Sequence, residues 1–483
     1  MRSVSALTIL LLVGIVVRLG AGWLRPSDLK ADNDGYLAHA EMVVQGEGFA
    51  GPFTHQPTAF RPPAYPIALA GLRSAGLNQT TSVAIINGFC SIAIIWLTWQ
   101  LGQQLGLPDV VTLFATAITS LDPLLVRYSI LPMTEVPAAA LLLAAIVALK
   151  AGEQKFPHVG GKGANPLVRL SASVASRDER DGIGMHHTKH VVPCQSTAIG
   201  LWLVSGILFG IGSLVRPIIF VTCATLVFPR VVRSLRQPAE FRRRIMTAVV
   251  PAVAALLAIS PWIMRNATQF HKFIPATTHG GYTLALGNNA DFYRDVIDGE
   301  TSFPWPGPQL DAWQKKMIVD AKAQGVSVGN EPELDAWYYR QAFAAIQRQP
   351  VSFIKACLLR LRRFWAITPG AGDTLPGVVT ALTAVWYGII SIGVIAVISQ
   401  SISACCRCGT RGSRECDSAG SGLADLWLAV LSFMLLHSVY WTDTRMRAPV
   451  MPLVCLLAAS GWYSVFIKIF HRTVTKFSAE SPT

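Results

Sequence analysis

Asp32 and Asp34 stand two residues apart in Ala31-Asp32-Asn33-Asp34-Gly35-Tyr36, directly after the first long apolar segment and before an amphipathic stretch. A carboxylate at a membrane surface can act as a general base on a substrate that is itself half in lipid. Asp before a helix is also a preferred N-cap, and Asp34 is spaced to accept from the amide of Tyr36 or Leu37. On that reading Asp34 caps the helix and Asp32 is the freer residue to serve as base. The prolines of Pro57 to Pro66 favour an extended path that displays Arg61, which either anchors a loop to headgroups or meets an anionic substrate group. More cations recur at membrane boundaries, in Arg216-Pro217, in Trp262-Ile263-Met264-Arg265-Asn266 and in Arg445-Met446-Arg447. A guanidinium suits phosphate through its planar fork of donors, so these arginines suggest a shared anionic ligand, the alternative being separate snorkelling. Glu135, after Pro132-Met133-Thr134, either caps the helix that follows, orients a substrate or pairs with one of the arginines.

Such residues need a scaffold, and the composition says which. The chain has 483 residues, 52% apolar and 14% charged, well below the charged share of about 25% usual in soluble domains. That is the composition of a polytopic membrane protein. The net charge of +13 lies in short blocks between apolar runs, which fits positive-inside topology and not a nucleic-acid-binding face. The apolar run after Met1-Arg2 continues to Trp23 and Leu24 without a cleavage site, so it reads as an uncleaved anchor, with Arg18 snorkelling near its outer end. The nine cysteines form no secreted disulfide framework.

Apolar segments long enough to cross occur at 4–24, 81–103, 108–128, 133–150, 198–214, 216–230, 246–264, 376–399, 423–440 and 448–468. With both termini cytoplasmic, the Lys and Arg blocks around 150–189, 230–244, 407–414 and 468–476 all fall inside, as expected of a multi-pass cell-membrane protein. The fold class expected is therefore all-α and polytopic, with about ten transmembrane helices. Three regions follow: 1–264, with a first outer loop at 25–80 and a cytoplasmic insert at 151–197; an outer-face segment of mixed structure at 265–375; and the last helices with a cytoplasmic tail at 376–483. The apolar stretch from Pro63 to Leu77 is too short to span and would break the charge parity, so it is expected to be interfacial or re-entrant. Just before it, Tyr36, Leu37, Ala40, Val43 and Val44 repeat at helical spacing, as in a helix lying in the headgroup plane. In the outer segment Gly280-Gly281 and Gly287-Asn288-Asn289 read as turns, and Glu333 to Arg348 as a helix.

Two clusters, His186, His187 and His190 with Cys194, and Cys405, Cys406 and Cys408 with Cys416, match no standard zinc spacing and read as solvated loops. There is no phosphate-binding Gly-Lys-Ser/Thr loop, which argues against direct nucleotide hydrolysis. No cofactor is called for, and a divalent-metal requirement stays open.

In this order the fragments resemble the GT-C superfamily of integral-membrane glycosyltransferases, in its branch of protein O-mannosyltransferases and aminoarabinose transferases. The likeness rests on Asp32 four residues before Tyr36, Gly46-Glu47-Gly48-Phe49, Phe60-Arg61-Pro62-Pro63-Ala64-Tyr65-Pro66 and Thr134-Glu135. It continues with Arg216-Pro217, Pro261-Trp262 with Arg265-Asn266, Gly280-Gly281-Tyr282 with Gly287-Asn288-Asn289, and Arg445-Met446-Arg447-Ala448-Pro449. The resemblance implies transfer of a sugar from a polyprenyl-phosphate carrier to a glycolipid, protein or polysaccharide acceptor at the outer face, inverting at the sugar carbon. The acid of the family's first outer loop falls by spacing on Asp32, with Asp34 as its alternative in the Asp-x-Asp form. Substrate contacts would come from Arg61, Tyr65, Glu135, Arg216, Arg265, Asn288, Arg445 and Arg447. Where the family often has Asp-Glu, this chain has Asp32-Asn33. The other reading is a transporter or flippase of a lipid-linked saccharide, which would place charges near the bilayer midplane and often shows inverted repeats. The acids here gather at one surface, and no repeat is evident.

Overall fold

A computed structural model describes residues 2–156, 195–236, 241–299, 305, 307–368, 376–409 and 416–480. The insert residues 157–194, with His186, His187, His190 and Cys194, lie outside the described residues, as do the side chains of Cys405, Cys406, Cys408 and Cys416. The described chain is a helical bundle. Its first half comprises α1 (Arg2–Leu24), α2 (Tyr36–Val44), α3 (Ala64–Ser74), α4 (Gln79–Gln104), α5 (Asp109–Ser120), α6 (Pro123–Ser129), α7 (Glu135–Lys155), α8 (Gln195–Val215), α9 (Ile218–Arg236) and α10 (Phe241–Phe270). A helical segment follows as α11 (Gly280–Gly287), α12 (Gly307–Ala323), α13 (Glu331–Arg348) and α14 (Pro350–Phe364). The bundle then closes with α15 (Gly377–Gly409), α16 (Cys416–Val439) and α17 (Met451–Glu480).

Among the described residues nine helices are long and apolar enough to cross a membrane, and ten when α5 and α6 count as one span bent by 47°. These coincide with the ten apolar segments of the sequence. The bend has a local cause: Pro123 cannot donate to the preceding turn, and Asp122 caps the new helix by accepting from Leu125 N at 3.0 Å. The eleven residues of α3 reach only about 16 Å, half of a hydrocarbon core, so α3 does not span. Together α2 and α3 pack Tyr36, Leu37 and Ala40 against Tyr65, Leu69 and Ala70, over Leu131 and Met133.

Within the bundle α7 is the most enclosed span, and its Leu142 and Ile146 meet Phe209, Ile219 and Phe433. Large apolar side chains such as Ile9, Phe89, Leu257, Leu382 and Ile395 face outward, the surface a bilayer covers. Small residues bring helices together where apolar burial offers no drive between them. A Cβ on Gly461 of α17 would overlap the backbone oxygen of Gly393 in α15, so those backbones are in contact.

Arg18 does not snorkel. It is 8% exposed, and its Nη1 donates to Gly14 O at 3.0 Å and Ser120 O at 2.8 Å, tying α1 to the end of α5. In an apolar span an open carbonyl is a nearer partner than water, and the frayed end of α5 supplies one. Gly280-Gly281, expected as a turn, instead opens α11. There Gly281 N donates to Asp335 Oδ1 at 2.6 Å, and a Cβ at this position would collide with the Asp335 backbone oxygen, so the glycine serves close packing of α11 on α13. Gly287-Asn288-Asn289 does end α11, and Asn289 caps the next turn by accepting from Phe292 N at 2.7 Å. The segment has its own core of Leu284, Phe292, Tyr293, Trp313, Trp337 and Tyr338.

Candidate active site

The first loop distributes its two acids differently from the spacing argument. Both oxygens of Asp32 accept from the start of α2, Oδ1 from Leu37 N at 3.0 Å and Oδ2 from Ala38 N at 2.9 Å. Asp32 is thus the capping residue, and Asp34 is not. The physical reason is the turn at Gly35, whose φ of 76° folds the chain back so that the acid further out reaches the helix amides. Asp34 turns toward arginines, with Oδ1 3.5 Å from Arg61 Nη2 and Oδ2 3.3 Å from Arg445 Nη1. Burial works to raise its pKa, but Arg445, Arg61 and Arg216 outweigh it and hold the carboxyl below its ordinary range.

Arg445 lies in the 3-10 turn Thr444–Val450, which Asp443 caps by accepting from Arg445 N at 2.8 Å. Its Nε is 3.3 Å from Asp443 Oδ2 and 4.0 Å from Glu135 Oε1. Glu135 is 1% exposed, and its Oε1 accepts from Arg216 Nη1 at 2.9 Å, whereas its Oε2 has no hydrogen-bond partner among the described residues. Arg216 sits where Pro217 separates α8 from α9, so the break projects its side chain into the cluster. Three acids (Asp34, Glu135 and Asp443) therefore face three guanidiniums (Arg61, Arg216 and Arg445), drawn from loops and helix ends far apart in sequence.

Sequence reasoning passed over His279 and Asp443. The His279 ring packs edge-on to Phe60 at 4.3 Å and stacks on Tyr282 at 5.2 Å, and its Nδ1 is buried without a hydrogen-bond partner among the described residues. Burial first, then Arg61, pushes its pKa down to about 3 against the pull of Asp34, so the imidazole is neutral. The signal for it was slight, one histidine ahead of Gly280-Gly281. Asp443 announces itself only as an acid two residues before Arg445.

Of the expected substrate residues, Arg61, Glu135, Arg216 and Arg445 converge on Asp34, and the other four hold neighbouring structure. Tyr65 donates to Asn87 Oδ1 at 3.2 Å, and Asn87 Nδ2 to Leu131 O at 2.6 Å. Arg265 binds the carbonyls of Thr58 at 2.7 Å and Phe49 at 2.8 Å. Asn288 accepts from Arg360 Nη2 and Tyr293 Oη at 3.1 Å each. Arg447 donates to Phe364 O at 2.9 Å and Ala366 O at 2.7 Å, over the face of Tyr387. Beside it runs an apolar cavity lined by Tyr387, Ile390, Val394, Trp427 and Met434.

Among the described residues no three His, Cys, Asp or Glu side chains gather as a metal site. The cations that face Asp34, Glu135 and Asp443 are guanidiniums, whose planar forks of donors suit carboxylate and phosphate oxygens alike. A carboxylate beside them can take a proton.

No protein-family model and no curated protein sequence matches the chain. The fold is similar to that of the archaeal oligosaccharyltransferase AglB from Archaeoglobus fulgidus, solved in complex with an inhibitory peptide and a dolichol-phosphate. The TM-score is 0.51 and the identity 13%, over 100% of this chain and 52% of that one. The Archaeoglobus fulgidus oligosaccharyltransferase tethered with an acceptor peptide gives 0.51 and 14%, over 97% and 50%. ArnT from Cupriavidus metallidurans bound to undecaprenyl phosphate gives 0.37 and 12%, over 94% and 77%. This chain spans about half the length of the oligosaccharyltransferase structures it matches. The likeness to the oligosaccharyltransferase structures is one of fold.

Proposed function

We propose that this chain is a membrane glycosyltransferase of the GT-C kind, moving a sugar from a polyprenyl-phosphate carrier to an acceptor hydroxyl or amide at the outer membrane face. The observation that carries the reading is Asp34 held between Arg61 and Arg445, with Arg216 and Glu135 behind them. In the reaction the bond from the anomeric carbon to the carrier phosphate breaks and its electron pair stays on the phosphate oxygen. Arg61 and Arg445 stabilise the charge that develops there. The acceptor attacks the opposite face of the carbon, which inverts it, and gives its proton to the Asp34 carboxylate.

Asp34 is favoured over Asp32 as base because both Asp32 oxygens are engaged by α2 amides. Asp34 gains from the donor's arrival. A phosphate that draws Arg61 and Arg445 to itself removes the cations that keep Asp34 a weak base, so basicity rises only when donor is in place. The cavity beside Arg447, two residues from Arg445, offers apolar room for the carrier chain. A transporter would carry its charges near mid-span. Here the ion-paired acids of α7 sit at its two ends, Glu135 at the start and Glu153 near the close, the latter with Arg230 and Asp425. The test is transfer by the purified chain in lipid nanodiscs from a polyprenyl-phosphate sugar to membrane-extracted acceptors. Absence of donor turnover across several sugars would overturn the reading.

A further inference from the structure

Glu331, the first residue of α13, turns away from its own helix and reaches the first loop, 270 positions earlier in the chain. Its Oε1 accepts from Thr58 Oγ1 at 2.6 Å, and its Oε2 from Ala59 N at 3.0 Å and Thr278 Oγ1 at 2.9 Å. Thr58, Ala59 and Thr278 are 1%, 0% and 5% exposed, so no water replaces these bonds. We infer that Glu331 is the positioning residue that sets Arg61 against Asp34 and His279 against Phe60, so that the α11–α14 segment controls the geometry of the ion cluster.

The remaining backbone groups of Thr58 and Ala59 are all assigned. Thr58 N donates to Phe49 O at 3.1 Å, and Thr58 O accepts from Arg265 Nη1 at 2.7 Å. Ala59 O accepts from Thr278 N at 2.9 Å, and Phe60 N donates to Thr58 Oγ1 at 3.0 Å. Glu331 hydrogen-bonds to both segments of this junction, and each segment runs directly into the site. Phe60 and Arg61 follow Ala59; His279 follows Thr278, and its ring rests on Phe60. Glu331 touches neither Asp34 nor Arg61, so it acts through them. A carboxylate is the group that suits, because it has two acceptor atoms and no donor, and the three groups it meets all donate. A glutamine can keep its oxygen at the Oε2 place, accepting from Ala59 N and Thr278 Oγ1, and loses only the acceptor for Thr58 Oγ1, which must rotate to accept from the NH2 group.

The assignment of a rate effect rests on the transferase reading, and the test therefore has an arm that does not. In the full chain in nanodiscs, amide exchange over residues 58–61 and 276–280 should quicken by about tenfold or more in Glu331→Ala, and less in Glu331→Gln. Glu331→Asp should restore protection in part. In transfer assays Glu331→Ala should lower kcat/KM for the lipid donor by about tenfold, and added to Arg61→Ala it should cost no more than Arg61→Ala alone. Unchanged exchange in Glu331→Ala overturns the positioning role whatever the activity, as do rate losses that multiply in the double variant. If the unaltered chain transfers no sugar, the function proposed above falls while the exchange arm still decides the role of Glu331. Glu331→Gln, which keeps one acceptor oxygen, serves if the alanine variant does not fold.

Discussion

Replacing Asp34 by Asn separates the two roles the site gives to charge. The side chain keeps its size and loses one negative charge from a cluster of three acids and three guanidiniums, leaving an excess of one positive charge around Arg61, Arg216 and Arg445. Loss of a general base should slow the chemical step by about 10²- to 10⁴-fold. Donor binding should move the other way. The Asp34 contacts at 3.5 and 3.3 Å join side chains 19–25% exposed. Ion pairs of this kind are each worth roughly 1 kcal/mol net. The donor phosphate no longer has to displace them, so about 2 kcal/mol, a factor of up to roughly 30, becomes available for tighter binding. The assay is steady-state transfer with a polyprenyl-phosphate sugar, read as kcat and donor KM separately, beside a direct measurement of carrier-phosphate affinity. Expected is a large fall in kcat with KM unchanged or lower. Asp32→Asn should instead cost about 1 kcal/mol of stability through the weakened cap of α2 and change transfer less than tenfold. The reasoning is refuted if Asp34→Asn keeps kcat within threefold, or if it raises donor KM as an arginine loss would.

Arg61→Ala and Arg445→Ala should each raise donor KM and lower kcat/KM by about tenfold or more, whereas Arg447→Ala, which loses bonds to Phe364 O and Ala366 O, should lower the melting temperature with smaller effect on KM. Arg216→Ala leaves the Glu135 carboxylate buried with only Arg445 Nε at 4.0 Å and should cost up to about 3–5 kcal/mol, seen as a lower thermal midpoint, with recovery when Glu135→Gln is added. Asp335 gives a pH signature. Burial pushes its carboxyl up to about 6 against the amides of Gly281 and Tyr282, so the fold binds a proton that the unfolded chain has released above about 4. Its contribution is therefore present in acid, is lost as pH rises toward 6 and is level beyond, and Asp335→Asn should stabilise the protein at pH 8 and not at pH 4. Gly461→Ala forces α17 from α15 at Gly393 and should destabilise by about 1–3 kcal/mol in a detergent melt.

The sequence by itself determined the bundle. Span length and hydropathy depend on neighbouring residues only, so all ten crossing segments, the short α3 and the amphipathic α2 and α13 could be read in order. It also marked Asp34, Arg61, Glu135, Arg216 and Arg445 as residues with chemistry to do, because charged groups beside apolar spans are costly unless paired. Which acid capped and which faced the arginines was not legible, since a single left-handed residue, Gly35, decided it. Nor were Glu331, His279 and Asp443, which look ordinary until loops 270 residues apart meet. Arg265 and Arg447 resembled ligand-binding cations by type and place, and Arg18 a snorkelling one, yet each spends donors on backbone carbonyls. Hydrogen bonds and ion pairs between distant segments depend on angle and on a few tenths of an ångström, quantities set by how helices pack and not by the order of residues along them. Tertiary structure alone could therefore choose, among many arginines and acids, the few that face one another.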